Sequence, residues 1–294
     1  SMDQIEICTR LAKEHEIHVI ADSPPFMPPE VATWYRCCDW QAPRALKLPL
    51  FIARSSAMVW GLRDKFDLVV AQVSEGCLNF NADVIDVHGI SKRETANTKG
   101  ELRTPPIKYW QWNVYGAYTE HLLRRRPGRI IAHSEGVRQD TCLHFGLLPS
   151  DIAVVPLGVD LERFSPENRE RHGSQVRREL NIPEGAFVML FVGASWLRKK
   201  LHLVINSLAV MKNAHIYLVI VGQGSMAELG PYLRDDIDWD KVRFVPPAEC
   251  IERYYAVGDV LVLPSSYETF SRVSYEAAAA GLPVLATKLP GIED

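Results

Sequence analysis

The sequence predicts an α/β protein built on parallel, doubly wound sheets, with one sheet in each half of the chain. Short runs of Val, Ile and Leu recur from end to end, and helix-like segments separate them. In the second half, most of these runs end at a glycine or a serine-rich turn. Near-continuous apolar runs are what strands need when helices cover both faces of their sheet. At 294 residues the chain is long enough for two compact domains.

In the first half, residues 5–14 read as a charged amphipathic segment and 16–21 (EIHVIA) as a strand. A Pro-rich aromatic loop is expected from Pro24 to Pro43, followed by a helix over roughly 46–62. DLVVAQV (67–73) and ADVIDVHG (82–89) read as buried parallel strands, and RIIAHS (129–134) and IAVVPLG (152–158) as two more. Between them, 108–126 is helix-like and unusually aromatic, with Trp112, Tyr115, Tyr118 or Thr119, and Leu122 at spacings of three and four. That stripe fits a core helix with a solvated arginine end. It also fits a surface helix on an anionic membrane, with Arg124, Arg125, Arg126 and Arg129 reaching phosphates.

Residues 165–185 are polar and charge-rich apart from a short helix ending near Leu180, and are expected to link a first lobe (1–164) to a second (186–294). The second lobe repeats strand and helix: FVMLFVG (187–193), a helix near 201–212, HIYLVIVGQG (215–224), VRFVP (242–246), VLVLPS (260–265), the Ala-rich helix SYEAAAAG (274–281) and PVLAT (283–287). Such a sheet binds ligands beyond the carboxyl ends of its strands.

The candidate site residues follow from that rule. Gly193, Gly222 and Gly224 stand at strand ends, where glycine allows close backbone approach to a ligand. Arg198 and Lys199, five and six residues past Gly193, precede a helix, and a guanidinium fork with an ammonium suits phosphate oxygens. RKK taken alone is more often a solvated turn, and it is the strand–Gly–basic–helix context that favours the phosphate reading. Glu268 and Glu276 flank a helix start; Glu276 sits in an apolar helix, where a buried unpaired charge is costly. A carboxylate there could accept both ribose hydroxyls, although a capping acid plus a surface acid would look the same. His88 follows a first-lobe strand and could donate to a pyrophosphate or sugar hydroxyl, or simply pack in a turn; His133 is placed similarly.

Composition narrows the function classes. A formal charge of -3, with 47% hydrophobic and 23% charged residues, gives no basic field for nucleic acid and none of the bias of a disordered chain. No run of eighteen apolar residues marks a membrane-spanning helix. Six scattered cysteines fit reduced thiols better than a disulfide framework or a zinc site. A cytoplasmic location, possible also peripherally on the cytoplasmic membrane face, is therefore the expectation. Neither G-x-G-x-x-G after a strand nor G-x-x-x-x-G-K-S/T occurs, which disfavours nicotinamide redox and P-loop chemistry.

VVPLGVDLERFSP (154–166), FVGASWLRKKLHLVINSL (191–208), LVIVGQG (218–224) and the stretch 242–287 resemble glycosyltransferase family 4. The last contains ETFSRVSYE, two glutamates with seven residues between them, and then AAAAGLPV. The resemblance implies the GT-B fold of two Rossmann-like lobes, with the N-lobe lacking its first strand and the C-lobe incomplete, as if the chain were truncated at both ends. It implies retaining transfer of a sugar from a nucleoside diphosphate sugar, UDP- or GDP-linked, to a glycan or lipid-linked acceptor. No metal or other cofactor is expected to be required. Arg198 and Lys199 would bind the diphosphate, Glu276 the ribose and Glu268 the donor sugar. Phe270 and Ser271 would lie beside sugar and phosphate, Gly222–Gly224 and the loop after Phe244 would enclose the base, and His88 would contact the donor sugar. Ser271 and Lys200 stand where relatives often have glycine. A non-catalytic fragment binding a nucleotide sugar or partner stays open, as does an epimerase or phosphorylase on the same fold.

The aromatic, Arg-ended stretch 108–126 generates one expectation testable directly. The protein should float with liposomes containing anionic lipid and less well with neutral ones, and an absence of flotation with both would remove the membrane-surface reading.

Overall fold

The computed structural model describes residues 2–21, 27–37, 44–73, 82–87, 128–211, 215–289 and 291–292. They fall into two compact units, the first within 1–155 and the second comprising 156–294 together with 134–137. His88 and the aromatic stretch 108–126 lie outside the described residues.

The first unit opens with helix α1 (Met2–Leu11) and a parallel pair of strands, β1 (His18–Ala21) and β2 (Thr33–Arg36). The second strand is a correction, because it lies inside the stretch expected as a loop. Thr, Trp and Tyr favour extended backbone, and the surrounding prolines hid that signal. Helix α2 (Arg44–Leu62) follows as expected. Strands β3 (Val70–Val73), β4 (Val84–Val87), β5 (Arg129–Ala132) and β6 (Ile152–Val154) then pair in parallel and in chain order. Helix α3 (Glu135–Phe145), which the apolar pattern did not announce, lies between β5 and β6 in the chain.

Asp83 sets the start of this sheet. Both its carboxylate oxygens accept from Arg63 Nη2 (2.8 and 2.9 Å), and Oδ2 also accepts the Val69 N–H (2.8 Å), so one acid ties the entry to β3 to the entry to β4. At the opposite end, His133 Nε2 lies 2.9 Å from Asp86 Oδ1, and its Nδ1 lies 3.0 Å from the Val155 carbonyl.

The second unit holds helix α4 (Ser174–Glu179), β7 (Phe187–Val192), α5 (Leu201–Met211), β8 (Ile216–Val221), α6 (Met226–Leu229), β9 (Val242–Val245), α7 (Glu252–Tyr255), β10 (Val260–Leu263), α8 (Arg272–Ala279) and β11 (Val284–Ala286). All five strands are parallel, in the order β11-β10-β7-β8-β9. Side chains alternate across a strand, so β7 serves two cores at once. Val188, Leu190 and Val192 join one with Tyr217, Val219, Leu261 and Ala277. Met189 and Phe191 join the other with Leu201, Val204, Ile205 and Leu208 of α5. Because both faces are buried, every position from Val188 to Val192 must be apolar, and this is the run visible in the sequence.

The charge-rich segment 165–185 also contributes to this unit. Val176 and Ile182 are buried in the first of these cores, alongside Phe164. Its arginines reach back to Asp259, which precedes β10: Arg177 Nη2 lies 3.2 Å from Oδ2 and Arg169 Nη2 lies 2.7 Å from Oδ1. Asp259 Oδ2 also accepts the Val188 N–H at 2.8 Å, while the Asp259 N–H donates to the Val188 carbonyl at 2.8 Å. Polar density here marks a brace at the amino end of the sheet.

Replacing Asp259 with Ala should therefore destabilise the protein by about 2–3 kcal/mol, the scale of stranding a half-buried donor together with a charged partner. That corresponds to a fall of roughly 5–10 °C in thermal midpoint. Arg169→Ala, removing a half-exposed partner, should cost less than about 1 kcal/mol. Equal effects from both variants in a thermal melt would contradict this account.

Candidate functional site

The strand order creates a topological switch point. From β7 the chain moves to β8 on one side, whereas β10 and then β11 lie on the other. Loops leaving the carboxyl ends of β7 and β10 diverge, and the crevice between them is where sheets of this kind take ligands.

The loop after β7 is a tight turn with unusual backbone. Ser195 (φ +55°) and Lys200 (φ +53°) both adopt the left-handed conformation, which costs a residue with a Cβ roughly 1–2 kcal/mol. Three bonds close the turn: Lys199 N–H to Ser195 O (3.0 Å), Lys200 N–H to Leu197 O (3.0 Å) and Leu201 N–H to Trp196 O (2.9 Å). At Lys200 the backbone takes the shape glycine would adopt without that cost.

The turn throws Lys199 across Gly193. A Cβ on Gly193 would lie 2.7 Å from Lys199 Cε and 2.9 Å from Cδ, and Gly193 has φ +142°. Only glycine leaves room for the lysine stem there. Next door, a Cβ on Gly222 (φ +134°) would meet the Gly193 carbonyl oxygen at 2.3 Å, so the turns after β7 and β8 touch backbone to backbone.

The loop after β10 supplies the partner charge. Lys199 Nζ donates to Glu268 Oε1 at 2.6 Å, and Ser265 Oγ donates to the same oxygen at 2.8 Å. Lys199 and Glu268 are each only 8% exposed. Arg198 Nη1 donates to the Tyr267 carbonyl at 2.6 Å and stands 3.7 Å from Glu268 Oε1. The Arg198 carbonyl in turn accepts from Ser266 through both its N–H (3.1 Å) and its hydroxyl (2.8 Å). Three of the residues singled out in the sequence, Arg198, Lys199 and Glu268, are thus brought together by direct contact.

A second group centres on a residue sequence reasoning passed over. Trp196 is buried and donates through Nε1 to the Gly193 carbonyl at 3.2 Å. Its ring lies flush against Gly224, where a Cβ would sit 2.3 Å from the indole. Phe244 also packs against it at 5.7 Å between centroids, and Trp239 stacks on Phe244 at 6.4 Å. Trp196 therefore links Gly193, Gly224 and the exposed face of Phe244. An aromatic residue inside a short polar turn was the available signal.

The start of α8 gathers the rest. Ser271 is buried, its hydroxyl 2.7 Å from that of Ser274, and its φ of -87° needs no glycine. Phe270 stacks on Tyr275 at 4.7 Å with 7° between rings. Glu276, one turn further and only 5% exposed, accepts from Tyr255 Oη (2.8 Å) and from Arg272 Nη2 (3.0 Å). Burial first, and the Glu276 charge second, push the Tyr255 hydroxyl well above the usual tyrosine range, so it remains a protonated donor. Among the described residues no cluster of three or more His, Cys, Asp or Glu side chains is arranged to hold a metal ion, and no helix is long and apolar enough to cross a membrane.

Comparison with known proteins places these motifs in context. A family model described as Glycosyltransferase Family 4 matches residues 5–163, and one described as Glycosyl transferases group 1 matches 186–294. The D-inositol 3-phosphate glycosyltransferase of Thermomonospora curvata is 30% identical over 233 residues, covering 71% of this chain and 51% of that protein. The Geodermatophilus obscurus protein of the same name is 32% identical over 178 residues, covering 56% and 39%. The chain thus spans about half the length, or less, of these curated relatives. Among solved structures, WaaG, a glycosyltransferase involved in lipopolysaccharide biosynthesis, aligns with a TM-score of 0.79 at 20% identity over 99% of this chain and 77% of its own. Anabaena Alr3699/HepE in complex with UDP-glucose aligns at 0.73 and 18% identity over 99% and 78%. At these identities the structural likeness speaks for the fold, two doubly wound lobes as in GT-B proteins.

The packing of Lys199 over Gly193 makes a double-mutant cycle informative. Gly193→Ala should destabilise the protein by at least about 1 kcal/mol through backbone handedness alone, with a further steric cost from the lysine stem. In a Lys199→Ala background that steric part should vanish, so the second cost is the smaller one. Additive effects in denaturant melts would refute the contact.

Proposed function

This chain belongs to glycosyltransferase family 4, and we propose on that basis that it moves a sugar from a nucleoside diphosphate sugar to an acceptor hydroxyl, with retention at the anomeric carbon. The ammonium of Lys199 is the observation that carries the proposal. Of its three donors, one goes to Glu268, and among the described residues no other partner engages it. A nearly buried cation with two donors to spare, at a sheet switch point, suits a phosphate oxygen.

The chemistry follows from where charge develops. As the bond between the anomeric carbon and the β-phosphate oxygen weakens, negative charge gathers on the leaving diphosphate. Lys199 and Arg198 are already held in place by the loop after β10, so they stabilise that charge without reorganising. Glu268 plays two parts in this scheme. Its Oε1 fixes Lys199, and its Oε2, which makes no hydrogen bond to a described residue, is left for a donor-sugar hydroxyl. Glu276 would hold the ribose, and the base would lie near Gly222–Gly224 and the exposed face of Phe244. Ser271 and Phe270 would lie beside the sugar and phosphates, and the family resemblance assigns His88, outside the described residues, to the donor sugar. Two cations at the diphosphate favour neutralisation by side chains over a required divalent ion.

Uridine is the first base to test, since HepE is solved with UDP-glucose. An envelope or lipid-linked glycan acceptor draws support from the part WaaG plays in lipopolysaccharide biosynthesis. It also draws on the Arg-ended aromatic stretch at 108–126.

Two measurements test the proposal. UDP, GDP, ADP and TDP, with their sugars, should be screened by thermal shift; at 100 times Kd a bound ligand stabilises by about 2.7 kcal/mol. In the active protein, Arg198→Ala or Lys199→Ala should lower kcat by about 10²-fold or more. Lys199→Ala also leaves Glu268 buried without its cation, so it will lower stability as well. Arg198 is more exposed, and its variant separates the two effects. Near-normal turnover in both variants, or indifference to every activated sugar, would refute the assignment.

A further inference from the structure

Glu276 is a buried acid whose hydrogen bonding is incomplete in a particular way. An ionised carboxylate offers about four lone-pair sites, two on each oxygen. Tyr255 occupies one on Oε2 and Arg272 one on Oε1, and no other described residue engages the group. Among the described residues one site is left open on each oxygen, and each oxygen is held by a different residue. A pair of neighbouring hydroxyls is the chemistry that fills such a carboxylate, one hydrogen bond to each oxygen.

The two holders differ in what they can guarantee. Arg272 is the i,i+4 neighbour of Glu276 on the same helix, and its side chain is partly exposed. Tyr255 belongs to a different element, α7, and is completely buried. Phe164 grips its ring edge-on at 5.5 Å between centroids, and the hydroxyl also lies 3.5 Å from the Val273 carbonyl, one turn before Glu276. The phenol therefore cannot follow Glu276 if that side chain swings, whereas Arg272 rides on the same helix.

We propose that Tyr255 is a positioning residue, whose fixed hydroxyl holds the Glu276 carboxylate in the one orientation that presents its two open lone pairs to the 2′ and 3′ hydroxyls of the donor ribose. This rests on the reading of Glu276 as the ribose acceptor and adds the element that makes it selective for a diol. Tyr255 itself touches no substrate. Its removal leaves the charge in place and lets its direction wander.

The test compares UDP, GDP and ADP, each against its 2′,3′-dideoxy counterpart, by calorimetry on the wild-type chain, Tyr255→Phe and Glu276→Gln. The wild type should prefer the ribose form of its best nucleotide by about tenfold or more, the scale of hydrogen bonds to a charged acceptor. Tyr255→Phe should cut that preference at least about threefold while leaving the dideoxy affinity unchanged, which a general loss of structure would not do. Glu276→Gln should cut it as well. If Glu276→Gln lowers the preference and Tyr255→Phe does not, the positioning role is wrong and the ribose reading stands. A wild type that binds none of the three, or does not discriminate, overturns both, as does a preference that survives Glu276→Gln.

Should Tyr255→Phe fail to fold, wild-type protein with ¹³C-labelled tyrosine rings gives a second reading. The Cζ resonance of Tyr255 should shift on binding the ribose nucleotide and stay put on binding the dideoxy form. Identical responses to both would overturn the proposal.

Discussion

The ion pair between Lys199 and Glu268 is the interaction on which the organisation of the second unit's site depends. Each charge is nearly buried, and a lone buried charge would cost several kcal/mol. Neither loop can therefore relax away from the other without stranding its own ion. The pair spans the point where the sheet divides, so the carboxyl ends of β7 and β10 are tied at the place where the chain's path would otherwise separate them. Ser265, Ser266 and the Tyr267 carbonyl complete the tie with further hydrogen bonds to Glu268 and Arg198. The result is a preorganised cation with donors to spare, a form of organisation that catalysis of phosphate departure rewards.

Much of the surrounding architecture makes that pair possible. Gly193 gives the lysine stem its path, and Gly222 lets two turns meet at backbone distance. Two left-handed residues, Ser195 and Lys200, bend the turn tightly enough to bring Arg198 and Lys199 over the strand ends. Strain of this kind persists only where surrounding contacts over-determine the conformation. Here Trp196 does so, bonded to the Gly193 carbonyl and packed against Gly224 and Phe244. At the far end of the sheet, Asp259 and its two arginines hold β10 in register with β7, which keeps the two loops level.

The acids of the second unit occupy distinct environments. Glu268 sits among cations and a serine hydroxyl at strand ends, whereas Glu276 lies inside a helix, answered by a phenol and a guanidinium. Seven residues of sequence separate them, enough to carry the chain from a loop into the second turn of α8. The partners of these acids account for how each could be used: one as a brace whose second oxygen no described residue engages, the other as a carboxylate to which the described residues make one bond at each oxygen.

Taken alone, the sequence was sufficient for every strand of the described sheets except β2, because parallel strands covered on both faces must be apolar at nearly every position, and that density survives in one dimension. It was sufficient for Gly193, Arg198, Lys199, Glu268 and Glu276 as candidates, because glycine and charge at strand ends are local signals. It hid β2 among prolines, left α3 unannounced, and made the segment 165–185 look like a linker with one short helix, since its charges mask the buried Val176 and Ile182. Only the tertiary structure decided which charges meet. Lys199 and Glu268 are 69 residues apart, and Tyr255 and Glu276 are 21 apart. Such pairs follow from strand order and the directions of loops, which no local pattern encodes. The physical reason is that burial is periodic along a chain, whereas the pairing of buried charges is a property of the space the folded sheet encloses.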